Sequence, residues 1–284
     1  MEGHEGWDDY APFYDWENAR TLGRRDVPFW RNLALQAGGP VLELGCGTGR
    51  ISLPLGKAGV PLVGIDRSER MLARARTRTR RARLSNTIRL IRGDIRFLPF
   101  SVQSLSRRSS ESATSEGGFS MVMAPYGILQ SLLRERDLTA TLQEVRRVLE
   151  PGGTFGIELV ADLPSWEEYQ KRVSLKGWRA KRGGTHVTLL ETVRQDRARH
   201  LTIFNQEFTE RRGQTSRVHR FALTFRTLSV PQMVRRLEKA GFEITALLGD
   251  YRGRAWDSRA DVWVILARNP QGPNPNAQSQ EPKA

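Results

Sequence analysis

Short apolar runs bounded by turn residues alternate with stretches of helical periodicity along most of this chain. Residues 41–44, 61–65, 88–92 and 119–123 read as buried strands, and a fifth run follows the turn Glu150-Pro151-Gly152-Gly153. Between them, Met71, Leu72 and Ala75 follow a Ser68 that can cap a helix, and Leu138, Leu142, Val145 and Leu149 recur at helical spacing before the Pro-Gly-Gly stop. Near the N-terminus, Asp26-Val27-Pro28 precedes a helix carrying Phe29, Leu33 and Leu35. Ser229 and Gln232 form a capping box for a helix that runs through Met233, Val234, Leu237 and Ala240 to Gly241. Residues 242–248 and 262–267 then read as the last two strands. This alternation predicts an α/β fold.

The first strand ends in three alternating glycines, Gly45, Gly47 and Gly49. Glycine lets the backbone turn sharply and lie flat against a ligand where a Cβ would collide. Seventeen residues past Gly49 the second run ends in Asp66, where a carboxylate at a strand tip can accept from both ribose hydroxyls. The third run ends in Gly93-Asp94-Ile95 and supplies a second carboxylate at the same sheet edge, able to accept from an adenine amine. A dinucleotide fingerprint would need G-x-G-x-x-G to rest a pyrophosphate on a helix N-terminus, and here the third glycine comes one residue early. Glu43, beside the loop, suits a cationic ligand better than a pyrophosphate.

In this order of motifs, an E-x-G-x-G-x-G loop, acids after the second and third strands and a P-G-G turn before the fifth, residues 10–268 resemble the class I S-adenosylmethionine-dependent methyltransferases. The resemblance implies a Rossmann-like seven-stranded sheet with helices on both faces, its last two strands an antiparallel hairpin at the edge. It implies S-adenosylmethionine as cofactor, cradled by Gly45, Gly47 and Gly49, with Glu43 at its amino-acid end, Asp66 on the ribose and Asp94 with Ile95 at the adenine. Cys46, Arg67, Met71 and Ala124 complete the expected cofactor contacts. Tyr14-Asp15 is similar to the Tyr-Asp near the N-terminus of amino-sugar N-methyltransferases, which implies that Tyr14 reaches the cofactor or the acceptor; a cofactor contact is the expectation.

Between the fifth strand and the Ser229 helix, three β-like runs, 186–193, 199–208 and 218–227, are joined by short connections. They predict an inserted antiparallel β lobe, similar to the acceptor-covering lobe of amino-sugar and glycine N-methyltransferase relatives. A dimerisation sheet is the alternative reading. The expected organisation is an N-terminal helical cap over residues 1–36, a core over 37–162 and 229–268, the lobe over 163–228, and two disordered stretches. These are a Ser-rich insertion at 101–118 and a tail at 269–284, too poor in large apolar residues to offset their ordering entropy.

Composition narrows the chemistry further. The net charge of +14 comes almost entirely from arginine and raises the question of a nucleic-acid partner. Yet the densest run, Arg74, Arg76, Arg78, Arg80, Arg81 and Arg83, falls on the helix between the second and third strands, on the outer flank of the sheet, and reads as a solvated face. Ala124-Pro125-Tyr126 lacks the acceptor residue that adenine N-methylation uses, and the single Cys46 sits inside the glycine loop, away from any cytosine-attacking position. Neither a disulfide within the chain nor a cysteine-based zinc site is possible, and no metal is expected. No apolar leader or membrane-length stretch occurs, so a cytoplasmic protein without membrane attachment is the default expectation, monomer or homodimer.

The expected function is therefore methyl transfer to N or O of a small-molecule acceptor. The alternatives are an RNA or protein methyltransferase recruited by the basic surface and a cofactor-binding regulatory protein without turnover. Because the methyl is already activated, positioning is the enzyme's main work and a base is optional. Tyr14, His186, His200 and His219 are the candidate bases, with Tyr14 and His219 foremost, and Tyr126 is the candidate acceptor contact.

Overall fold

The computed structural model describes residues 7–21, 23–100, 118–161, 167–179 and 184–270. The predicted 101–118 insertion, but for Gly118, and most of the predicted tail lie outside them. The tail's first residue is fixed, however: the Asn269 side chain donates to the Leu149 carbonyl at 2.9 Å, and its backbone pairs with Gly152 and Gly153.

A seven-stranded sheet forms the core. Its strands are β1 (Val41–Leu44), β2 (Leu62–Asp66), β3 (Ile88–Arg92), β4 (Phe119–Ala124), β5 (Leu149–Leu159), β10 (Glu243–Leu248) and β11 (Trp263–Arg268), in the order β10-β11-β5-β4-β1-β2-β3. Neighbours from β5 through β3 pair in parallel; β11 inserts antiparallel between β5 and β10. Strands β1 and β4 are buried on both faces, as a parallel sheet covered by helices requires. The order reverses between β1 and β4, and ligands of open α/β sheets bind at the carboxyl ends there.

Helices α2 (Val27–Ala37), α3 (Ser52–Lys57), α4 (Glu69–Arg81), α5 (Glu135–Val148) and α6 (Val230–Lys239) connect or cover the strands. The expected caps are present: Ser68 accepts from the Met71 amide, and Ser229 with Gln232 completes both bonds of the capping box. On α2 the buried residues are Val27, Trp30 and Ala34, while the expected core residue Leu35 is 49% exposed.

The lobe is a four-stranded antiparallel meander, β6 (Tyr169–Trp178), β7 (His186–Asp196), β8 (Leu201–Arg212) and β9 (Thr215–Arg226). Strand β6 has no counterpart among the three predicted runs. It is an edge strand, mostly exposed, with register shifts against β7 and Lys171 at positive φ, so its sequence lacks the alternation that a half-buried strand carries. One face of the lobe is apolar, and α1 (Trp7–Asn18) lies against it: Tyr10, Phe13 and Trp16 pack with Val187, Leu189, Phe204 and Phe208. The Phe13 and Phe208 rings stack at 4.5 Å. Burying each such aromatic contributes about 1.5–3 kcal/mol, enough to seat a 12-residue helix that has little amphipathic character of its own.

Candidate active site

All three glycines of the loop after β1 have positive φ, at 63°, 53° and 81°. A Cβ on Gly45 would lie 2.5 Å from Ile128, and one on Gly49 2.5 Å from Leu53, so these two permit tight packing of the loop. At Gly47 the nearest atoms would be 3.9 Å away, one of them Cε1 of Tyr14. Its bare face is open beside the Tyr14 ring. Asp66 at the tip of β2 fixes this loop, one carboxylate oxygen accepting from the Gly47 amide and the other from the Ser68 amide, each at 2.8 Å.

Glu43 lies beneath the loop, 3% exposed, and accepts from the Ser52 hydroxyl. Burial raises its carboxyl to about 8, against the opposing pull of Ser52 and Arg50. Arg50 is itself engaged in a two-pronged bond to the buried Asp26, at 2.7 and 2.8 Å. At the end of β3, Asp94 is held by Arg96 at 2.8 Å and Arg67 at 3.3 Å. Burial works against its charge, but these arginines keep its carboxyl below the usual range.

Helix α1 is tied to the glycine loop through Asp15. Its carboxylate accepts from the Thr48 hydroxyl at 2.6 Å, from Arg74 at 3.0 Å and from Arg78 at 2.7 Å. The inner part of the α4 arginine run is thus not the solvated face that the sequence predicts: Arg74 and Arg78 clamp α1, and Arg76 pairs with Glu69. Arg80, Arg81 and Arg83 are exposed.

The loop, the strand tips, α1 and the lobe together enclose a cavity of about 760 Å³. Of the residues expected at a site, Tyr14, Glu43, Gly45, Cys46, Gly47, Asp66, Arg67, Met71, Asp94, Ile95 and Tyr126 line it. Gly49 and Ala124 do not; Gly49 faces Leu53 and Ala75, and Ala124 is fully buried at the end of β4. His219 is also away from the cavity, its ring 4.9 Å from that of Phe13 and its Nε2 3.2 Å from Glu210. His186 packs against Trp178 at the far end of the lobe, and His200 occupies the β7–β8 turn. Tyr14 stays a neutral phenol, because burial pushes its hydroxyl up.

The lobe contributes Tyr169, Glu191, Phe204, Gln206, Leu223 and Phe225 to the same cavity, and α1 adds Glu17. Glu191 and Gln206 are directly opposed in the β7–β8 register. The Gln206 amide nitrogen donates to Glu191 at 2.8 Å and to Glu17 at 3.0 Å. Tyr169 donates to the other Glu191 oxygen at 2.5 Å, and Tyr10 to the other Glu17 oxygen. Sequence reasoning did not find this network, though a signal existed. On β7 and β8 the buried parity reads Val187, Leu189, Glu191, Val193 and Thr202, Phe204, Gln206, Phe208, with a carboxylate and an amide on an apolar face.

The cradle suits a nucleoside-bearing ligand: an open glycine face at Gly47, a strand-tip carboxylate at Asp66 with backbone donors already in place, and a buried carboxyl at Glu43. Comparison with known proteins agrees. Residues 41–153 match the family profile described as a methyltransferase domain. A demethylmenaquinone methyltransferase of Lactobacillus johnsonii is 31% identical over 182 residues, 59% of this chain and 67% of that protein. The CcbJ methyltransferase from Streptomyces caelestis superposes with a TM-score of 0.66 at 23% identity, over 85% of this chain and 95% of that one. The glycopeptide N-methyltransferase MtfA, solved with S-adenosyl-L-methionine, gives 0.50 at 25% identity over 85% and 93%.

Proposed function

This chain belongs to the class I S-adenosylmethionine-dependent methyltransferases and takes S-adenosylmethionine as its cofactor, and we propose that it methylates N or O of a small-molecule acceptor bound between the glycine loop and the β lobe. The observation that carries this reading is the shared cavity: residues of the cofactor cradle and of the lobe line one space, whose volume lies in the range of metabolite sites.

In this reading Gly45 and Gly47 lie against the cofactor, Glu43 faces its cationic amino-acid end, and Asp66 accepts from the ribose. Asp94, turned toward Arg96, meets the adenine together with Ile95, and Tyr14 covers the open face of Gly47. Bound there, the cofactor supplies a methyl group already activated by its positive sulfur. The chain's own contribution is to hold the acceptor atom about 3 Å from that methyl and to exclude water, which the aromatic seam between α1 and the lobe accomplishes. A folded RNA would enter this space only by flipping out a base. The basic helix offers it little besides, since Arg74, Arg76 and Arg78 are already paired.

Incubation with methyl-labelled S-adenosylmethionine and a fractionated metabolite extract, followed by mass analysis, tests the reading. A small product gaining one methyl is the expected result. Transfer to RNA or protein alone, or tight cofactor binding without transfer to any fraction, would refute it in favour of the two alternatives.

A further inference from the structure

Among the apolar side chains at the lobe end of the cavity, the polar groups left with spare hydrogen-bonding capacity are acceptors. Glu17 and Glu191 point into it, and both hydrogens of the Gln206 amide that bridges them are spent on the two carboxylates. That leaves the Gln206 carbonyl oxygen buried and without a partner. The same holds for the side-chain oxygen of Asn18, which lines the cavity one residue beyond Glu17 and whose amide nitrogen is used on the Tyr14 carbonyl. Glu191 is 8% exposed and Gln206 4%. Two carboxylates and two orphaned oxygens in one partly dry place are costly unless something donates to them, because buried polar groups without partners each cost about 1–3 kcal/mol.

Groups facing Glu17 come from every element around it. They are Tyr10 on its own helix, Gln206 from β8, Glu191 from β7 with Tyr169 of β6 behind it, and Tyr126 from the turn after β4. No described lysine, arginine or histidine forms an ion pair with Glu17 or Glu191. Arg20, just past the end of α1, donates to the backbone carbonyls of Trp16 and Trp178 instead. The missing element is a multi-proton cation or donor, and hydroxyl acceptors supply only a single hydrogen.

Resting on the small-molecule reading above, we propose that the acceptor is an amine, held by Glu17 and Glu191 across Gln206, and that Glu17 takes the proton this nitrogen sheds before attack. The amine arrives as an ammonium and gives one proton to the Glu17 carboxylate. The freed lone pair forms the new nitrogen–carbon bond as the carbon–sulfur bond breaks, its electron pair remaining on sulfur. A methylated ammonium and a neutral thioether result, and the proton leaves Glu17 for solvent. Glu191, already accepting from Tyr169, orients the nitrogen. Burial, with Glu191 adding to it, raises Glu17 to about 7, which matches a proton acceptor working near neutrality.

The test uses the full chain with methyl-labelled S-adenosylmethionine and a metabolite extract split on a cation exchanger at neutral pH. Label should enter the retained fraction and should vanish when that fraction is N-acylated beforehand. Label in unretained hydroxyl or carboxyl compounds, or label indifferent to acylation, overturns the amine assignment while leaving the transferase reading intact. Absence of label in every fraction overturns both. On the retained fraction, Glu17→Gln should lower kcat by roughly 100-fold or more and erase the rise in rate through about pH 7. Glu191→Gln should raise KM at least about tenfold with a smaller change in kcat, as loss of an ionic hydrogen bond predicts. Glu17→Gln should keep the wild-type Tm at pH 6, and both variants should keep the wild-type affinity for the cofactor. If Glu17→Gln keeps the pH profile, or loses cofactor affinity in step with rate, Glu17 is structural and the proposal fails.

Discussion

Asp15→Ala is the sharpest probe of how the site is assembled. Asp15 is the hub through which α1 holds the glycine loop and α4, by bonds to Thr48 at 2.6 Å, Arg78 at 2.7 Å and Arg74 at 3.0 Å. The two arginines are 41% and 38% exposed and can return to water, so each ion pair is worth no more than about 1 kcal/mol. Thr48 is fully buried, and its hydroxyl would lose its acceptor at a cost of about 1–3 kcal/mol. The variant should therefore weaken docking of α1 by about 2–4 kcal/mol, while the stacked Phe13 and Phe208 still hold the helix to the lobe. Cofactor affinity should fall roughly 10- to 100-fold if docking becomes limiting, since only the docked fraction binds. Calorimetry reads the affinity and amide exchange over residues 7–18 reads the docking. Unchanged exchange together with affinity within about twofold of wild type would refute the clamp and leave docking to the aromatic seam and the bonds of Asp8, Asp9 and Glu17.

Asp66→Ala should weaken cofactor binding at least about tenfold by calorimetry; it removes the proposed ribose acceptor and also releases the Gly47 and Ser68 amides. For the cofactor-free protein, Glu43→Gln should be more stable than wild type at pH 9 and gain less at pH 6. The Glu43 carboxyl rises to about 8 from its ordinary 4.5, so the stability of its buried neutral form is lost as pH climbs through about 8, and equal Tm differences at both pH values would contradict the burial argument. Arg80→Gln should leave turnover unchanged, and Arg78→Gln should lower it together with cofactor affinity, because Arg78 alone of the two reaches Asp15 and Thr48. Parallel effects of the two substitutions would mean that net charge, not the clamp, matters.

The glycine-loop end of the cavity was legible because its determinants are local. The positive-φ glycines, the strand-tip acids, the caps at Ser68 and Ser229 and the buried strands all show themselves within a few residues of sequence. The lobe end was not, because it is made by register. Glu191 and Gln206 are 15 residues apart in sequence and meet only when β7 and β8 pair, and Glu17 joins them from 189 residues away. The histidines looked more promising as bases because their chemistry is evident from residue type alone, yet His219 is turned toward Phe13 and Glu210. Similarly, the arginine run read as solvent-facing because its partner Asp15 lies 59 residues from Arg74.

Tyr14, Asp15 and Glu17 give α1 a role that no other element shares. Tyr14 stands over Gly47, Asp15 bonds the loop and α4, and Glu17, one turn on, reaches the lobe's Gln206. Since one helix carries all three, undocking it would uncover the glycine loop and withdraw Glu17 from the lobe end of the cavity in the same movement. The energetic consequence is a coupling between the two ends of the cavity: whatever stabilises docked α1 at the glycine loop also assembles the lobe end, by the same free energy. A ligand at either end should therefore tighten the other, and the coupling should shrink when the Asp15 bonds are removed, because they tie α1 to the glycine loop itself, beside the bonds of Asp8 and Asp9 to Ser68 and Arg70.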